Sequence, residues 1–250
     1  MSNPLSNKVA VITGAARNMG RAFAEALARA GAAVVVHHHG ASSRGDAEAT
    51  AAAIREHGGR VHVVEGELEL ATIRRLFDET IATFGRVDIV INNAGMIVKK
   101  PVLDVTEAEF DRCFAINAKA AFFVMQEAAR RISDGGRIIN IGTTLLAATT
   151  ANYGVYAGSK APLEDFSRAL AREIGKRGVT VNTVAPGPID TSFYHAQESP
   201  QAVAYATQAS VAGRLGAIGD IVPVIEFLAS PGSQWITAQT LFVNGGYLAR

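Results

Sequence analysis

Short apolar runs and amphipathic stretches alternate along this chain. Val9-Ala10-Val11-Ile12 is a brief, β-branched apolar run bounded by polar residues, the pattern of a buried strand. A helical period follows over residues 21–30 and stops at Gly31, where a glycine can end a helix in the left-handed region. The alternation then repeats. Strands are predicted at 33–37, 61–66, 87–92, 137–141, 179–184 and 240–243. Helices are predicted at 46–57, 71–84, within 107–132, at 155–176 and at 221–229. Seven strands separated by helices predict an α/β fold, a doubly wound parallel sheet with helices on both faces.

Composition narrows this picture. The chain has 250 residues, 48% of them hydrophobic and 19% charged, which suits a single domain over 1–250 with a large core. The net charge is +1 and no block of like charge occurs, which argues against nucleic acid or an acidic membrane surface as partner. The N-terminal residues lack the apolar core of a signal peptide, and no apolar run reaches membrane-spanning length, so a soluble cytoplasmic protein is expected. Cys113, the only cysteine, cannot form an internal disulfide and reads as a buried apolar side chain.

The candidate chemistry centres on Tyr156-Ala157-Gly158-Ser159-Lys160. Four residues are just over one helical turn, so the phenol and the amine share a face. An ammonium beside a phenol favours the phenolate and is expected to lower the tyrosine pKa, letting Tyr156 exchange a proton with a carbonyl or alcohol oxygen. Thr143 stands 13 residues earlier, just past the fifth strand, where its hydroxyl can meet the same oxygen; Thr144 is the runner-up. Gly14 and Gly20 flank Arg17-Asn18 in the first strand-to-helix turn, where backbone N–H groups can approach a diphosphate. Asn92-Asn93-Ala94-Gly95 follows the fourth strand, where asparagine side chains can tether neighbouring loops and Gly95 permits close approach of a ring or ribose. Asn117, inside a long helix, is a poor mid-helix residue and is expected to bond a main-chain group or water.

Thr13-Gly14…Gly20, Asn92-Asn93-Ala94-Gly95, Asn117, Thr143, Tyr156-x-x-x-Lys160 and Pro186-Gly187, in this order and spacing, resemble the short-chain dehydrogenase/reductase family from Lys8 to about Tyr247. The resemblance implies a Rossmann-type fold, a nicotinamide dinucleotide, and a catalytic tetrad of Asn117, Thr143, Tyr156 and Lys160. It further implies hydride transfer between the nicotinamide and a ketone or secondary alcohol, with Tyr156 as general acid/base and Lys160 on the ribose hydroxyls. Cofactor contacts are implied at Gly14, Arg17, Asn18, Met19 and Gly20, at Glu67 and Leu68 for the adenine, and at Asn93, Ala94 and Gly95. Pro186, Gly187, the Ile189 backbone and the Thr191 side chain are implied around the carboxamide. The chain departs from the family where Asn18 replaces a glycine and Thr143 a serine. Asparagine tolerates the left-handed backbone, and threonine keeps the hydroxyl.

The second strand ends Val36-His37-His38-His39-Gly40, with His38 at or near the place of the acid that bonds an NAD ribose. No carboxylate stands between that strand end and Asp46, while Arg17, Ser42, Ser43 and Arg44 can meet a 2′-phosphate. NADP(H) is therefore favoured over NAD(H). The three histidines read as surface or cofactor-rim residues and no metal is expected, because consecutive strand residues point to opposite faces.

Residues 192–213 are expected to form a mobile lid. It holds Phe193, Tyr194, His195 and Tyr205 and one full charge, Glu198, which suits a neutral ketone, aromatic or cyclic, better than a carboxylate. Within the family the chain also looks like 3-oxoacyl-[acyl-carrier-protein] reductases, for which Arg130, Arg131 and Arg177 could dock an acidic carrier beside an opposing Asp134. A catalytically silent dinucleotide-binding oligomer is the other alternative. The resemblance further implies a homotetramer, with Ala118, Ala120, Ala121, Ala157, Gly158 and Ala161 permitting close helix contact. Pro162 is expected to bend the helix after Lys160.

Overall fold

A computed structural model describes residues 4–148 and 150–249; the outermost ends of the expected 1–250 domain lie outside them. The strands are β1 (Val9–Ile12), β2 (Ala33–His38), β3 (Val61–Glu65), β4 (Ile89–Asn92), β5 (Arg137–Ile141), β6 (Thr180–Pro186) and β7 (Thr240–Val243). They form one sheet in the order β3-β2-β1-β4-β5-β6-β7, with every neighbouring pair parallel. The helices are α1 (Asn18–Arg29), α2 (Arg44–Glu56), α3 (Leu70–Phe84), α4 (Glu107–Phe114), α5 (Ala121–Arg131) and α6 (Gly154–Lys160). They continue with α7 (Pro162–Ile174), α8 (Ser192–His195), α9 (Pro200–Ala209) and α10 (Ile218–Ala229).

Strand side chains alternate between two cores. Ala10, Ile12, Val34 and Val36 pack on one face with Phe23 and Leu27 of α1, Ile54 of α2 and Ile225 of α10. Val11, Val35 and Val90 pack on the other with Leu76 and Phe77 of α3, Val124 of α5 and Leu163 of α7. Both faces of the sheet are thus covered by apolar helix stripes, as a parallel sheet requires. The strand order reverses between β1 and β4, so their carboxyl ends flank the crevice where this kind of sheet takes ligands.

Two predicted helices are interrupted. The 107–132 stretch is α4, then a π-helical turn over Ala115–Ala120, then α5. The wide turn carries Asn117, whose amide bonds backbone outside the helix. The 155–176 stretch divides at Ala161, because Pro162 cannot continue the hydrogen-bond ladder but fits the first position of α7. The expected lid contains α8 and α9. Among the described residues no helix is long and apolar enough to cross a membrane.

Candidate active site

A cleft of about 1040 Å³ crosses the carboxyl ends of the sheet. That volume suits a dinucleotide with a small substrate beside it. One wall is the β1–α1 turn. Gly14 has φ 64° and Asn18 φ 51°, so the asparagine does adopt the left-handed backbone. Gly20 must be glycine: a Cβ there would lie 2.2 Å from the Gly14 carbonyl oxygen. Asn93 Nδ2 donates to the carbonyls of Thr13 and Gly14 at 3.0 Å each, and Thr13 Oγ1 accepts from the N–H groups of Asn93 and Ala94. The two loops at the crevice are therefore one unit. Met19 and Arg17 also line it, and Asn18 Oδ1 accepts from Ser192 at the lid's start.

The histidines divide by burial. His37 and His38 are buried and line the cleft, and only His39 is exposed, which corrects the surface alternative for the first two. His37 Nδ1 accepts from Gly14 N–H, and Nε2 donates to the Gly66 carbonyl at 2.8 Å. Burial pushes its pKa down to about 4, so the ring is the neutral tautomer that these bonds require. His38 bonds Ser43. Among the described residues no three His, Cys, Asp or Glu side chains converge as metal ligands.

Two expected cofactor contacts fall outside the cleft wall. Arg44 forks onto Glu65 at 2.9 and 3.0 Å, and Ser42 Oγ meets His39 instead. The reason is register: β2 pairs His38 with Glu65, bringing that carboxylate within reach of the start of α2. Ser43 and His39 line the cleft, as do Arg17, Glu67 and Leu68.

At the far end Tyr156 and Lys160 rise from α6, both nearly fully buried. Lys160 Nζ donates to the Ile141 carbonyl at 2.8 Å. Gly95 faces this group, since a Cβ on it would stand 3.0 Å from Asn117 Oδ1 and 3.2 Å from Lys160 Nζ. Burial pushes the Tyr156 phenol up to about 12, with a hydrogen bond from Thr143 opposing it, and pushes Lys160 down to about 8. The expected lowering of the Tyr156 pKa by Lys160 is therefore not what this site does. Desolvation dominates, and the amine is engaged with a backbone carbonyl. Thr143 lies beside Tyr156, whereas Thr144 donates its hydroxyl to the Ala185 carbonyl. Asn117 accepts from Met96 N–H and donates to the Met96 carbonyl and Ser159 Oγ. Pro186, Gly187, Ile189 and Thr191 line the cleft, and Thr191 also caps α8 through Tyr194 N–H.

Residues 14–248 match the family described as enoyl-(acyl carrier protein) reductase. The chain is 40% identical over 253 residues to a short-chain type dehydrogenase/reductase of Picea abies, covering 97% of this chain and 93% of that relative. This chain is a short-chain dehydrogenase/reductase. A tetrahydroxynaphthalene reductase of Pyricularia oryzae is 38% identical over 259 residues, covering 98% and 91% of the two chains. A Burkholderia cenocepacia protein assigned as a dehydrogenase, crystallised with bound NADP, superposes with a TM-score of 0.96 at 42% identity, over 100% of this chain and 97% of that one.

The substrate end of this short-chain dehydrogenase/reductase adds residues that sequence reasoning missed. Lys99 and Tyr153 line it and both bond Glu198 of the lid. A cation thus reaches the pocket from outside the lid, contrary to the expectation drawn from lid composition, but a carboxylate of the lid neutralises it. Tyr153 had one sequence signal, its place one turn before Tyr156; Lys99 had none. Arg130, Arg131 and Arg177 are each tied into ion pairs, with Glu127, Asp78 and Asp134, which reduces the positive field that an acidic carrier would meet.

Proposed function

We propose that this chain is an NADP(H)-dependent reductase of a neutral cyclic or aromatic ketone. The observation that carries it is the meeting of Thr143, Tyr156 and Lys160 in the wall of a dinucleotide-sized cleft. In this reading the β1–α1 turn, with Gly14, Asn18, Met19 and Gly20, holds the diphosphate through its backbone N–H groups. Arg17, His38 and Ser43 meet the 2′-phosphate, and Glu67-Leu68 flank the adenine. Asn93, Ala94 and Gly95 bound the riboses, Lys160 holds ribose hydroxyls, and Pro186, Gly187, Ile189 and Thr191 frame the carboxamide. Gly95 supports this fit, because a side chain there would press on Asn117 and Lys160, and Gly20 lets α1 start close against the Gly14 turn.

Bound NADPH supplies the hydride. Tyr156 donates its phenolic proton to the substrate oxygen, and Thr143 donates a hydrogen bond to the same oxygen. A phenol held at about 12 is protonated at neutral pH, which is the form that reduction consumes. Asn117 fixes the loop at Met96 against α4 and α6 and so keeps the pocket floor in place. Phe193, Tyr194 and Tyr205 put aromatic surface over the substrate end, with Phe193 and Tyr205 exposed, and residues 192–213 act as the lid. The naphthalene substrate named for the Pyricularia relative agrees with a ring ketone.

We further propose a cytoplasmic homotetramer that buries the exposed Phe110 and Phe122 of α4 and α5; light scattering reads its mass. For activity, the test is a panel of cyclic, aromatic and open-chain ketones with NADPH and with NADH, followed at the nicotinamide absorbance. Turnover of ring ketones with NADPH and little with NADH is expected. Equal use of both cofactors, or no turnover of any ketone, overturns the proposal.

A further inference from the structure

Three chain segments that are far apart in sequence meet over the substrate end. Lys99 comes from the loop after β4, Tyr153 from just before α6, and Glu198 from between α8 and α9. The Glu198 side chain is only 4% exposed. Its Oε2 accepts from Lys99 Nζ at 2.5 Å, and its Oε1 accepts from the Tyr153 hydroxyl. Lys99 Nζ also stands 5.2 Å from the centre of the Tyr153 ring, and that ring lies 6.1 Å from the ring of Tyr156. An ammonium and a phenol gripping one carboxylate, one ring away from the reacting phenol, are a carboxylate receptor occupied by the chain's own side chain.

The electrostatic consequence is specific. A substrate carboxylate entering here has two choices. It can add an anion beside a neutralised pair in a desolvated pocket, or it can displace Glu198 and leave that carboxylate without a partner. Either is costly where water is scarce. Displacement also competes with a group tethered at high effective concentration. An uncharged ketone meets neither cost, and a hydroxyl on a hydroxylated ring ketone can donate to a remaining lone pair of Glu198. Of the other cations lining this end, Arg112 is an exposed side chain of α4 and Lys160 is engaged with the Ile141 carbonyl, and both are common to the two cases.

We infer that Glu198 is a specificity-determining residue: by occupying the site that Lys99 and Tyr153 form, it reserves the pocket for uncharged ketones and excludes ketones that carry a carboxylate. The inference rests on the proposed ketone-reductase reading and deepens it. Rejection here comes from an installed charge, a device that works against the wrong ligand rather than for the right one.

The test uses a cyclohexanone bearing a ring carboxylate and the methyl ester of the same compound. Their kcat/KM values with NADPH are compared for the full chain, Glu198→Gln, and Glu198→Gln combined with Lys99→Met. The full chain is expected to favour the ester. Glu198→Gln is expected to move the ratio toward the carboxylate by about tenfold or more, and adding Lys99→Met to abolish that move. Calorimetric binding of both compounds in the presence of NADP reads the same ratio without turnover. Inactivity of the full chain on all ketones thus overturns the ketone-reductase reading, while the binding ratio still decides the role of Glu198. A ratio in Glu198→Gln equal to that of the full chain overturns the inference, as does a shift that persists without Lys99. Thermal melting checks folding, and Glu198→Ala is the second variant, with the same expected shift.

Discussion

The side-chain amide of Asn117 closes on both backbone groups of Met96, accepting from its N–H at 3.0 Å and donating to its carbonyl at 2.8 Å. The π turn over Ala115–Ala120 brings the amide to that loop, and Ser159 Oγ takes its other donor at 2.9 Å. Asn117→Leu keeps the volume but removes the side-chain partner of the half-buried Met96 N–H and carbonyl. It is expected to cost on the order of 3 kcal/mol of stability, read by urea unfolding, since each unpaired polar group costs about 1–3 kcal/mol. A loss within 0.5 kcal/mol, a bound near the ordinary spread for surface substitutions, would mean that the loop is held by other contacts.

Thr143 and Thr144 are adjacent, yet they separate cleanly by partner. Thr143→Val removes the hydroxyl beside Tyr156 and is expected to lower kcat by about a hundredfold, the scale of one lost transition-state donor. Thr144→Val removes a bond to the Ala185 carbonyl, with an expected cost of about 1 kcal/mol in unfolding and little change in kcat. The reverse ranking in kcat would move the role to Thr144.

Arg17 lines the cleft with its guanidinium exposed and only distantly paired, 3.9 Å from Asp46, whereas Arg44 is committed to Glu65. Arg17→Ala is expected to raise the KM for NADPH about tenfold, the scale of a charge-assisted hydrogen bond, and to leave the KM for NADH unchanged. Arg44→Ala should change either value about twofold or less. Steady-state titration of both cofactors distinguishes the two arginines.

His37 links pH to stability. Burial lowers its pKa from 6.5 to about 4, so between those values the unfolded chain binds a proton that the folded chain refuses. Stability therefore falls as pH drops from 6.5 to 4, by on the order of 3 kcal/mol from this residue. Protonation also removes the Nδ1 lone pair that accepts from Gly14 N–H. Urea unfolding of the full chain and of His37→Gln at pH 7 and pH 4 should show a shallower pH dependence in the variant. Parallel pH dependences would contradict this assignment.

The sheet was legible because its central strands are short, largely apolar runs covered on both faces, and the long helices carry an apolar stripe. Tyr156 and Lys160 were legible because their relation is local, one helical turn. The less legible features are long-range. The π turn depends on a backbone partner 21 residues away, at Met96. Arg44 turns to Glu65 because of the β2–β3 register, which no local pattern encodes. The contact of Lys99 with Glu198 spans 99 residues and forms only once the lid has folded over the sheet. The direction of the Tyr156 pKa was missed because burial, which is absent from a spacing argument, is its largest cause.

In the proposed reaction Tyr156 supplies the proton, which is read by the turnover of Tyr156→Phe set beside its affinity for NADPH. Removing one hydroxyl from a nearly fully buried ring is expected to leave the NADPH Kd within about twofold and to lower ketone turnover by about a thousandfold, the scale of a lost general acid. Ketone reduction by Tyr156→Phe at the rate of the unsubstituted enzyme, with the same NADPH affinity, would show that the proton comes from another group.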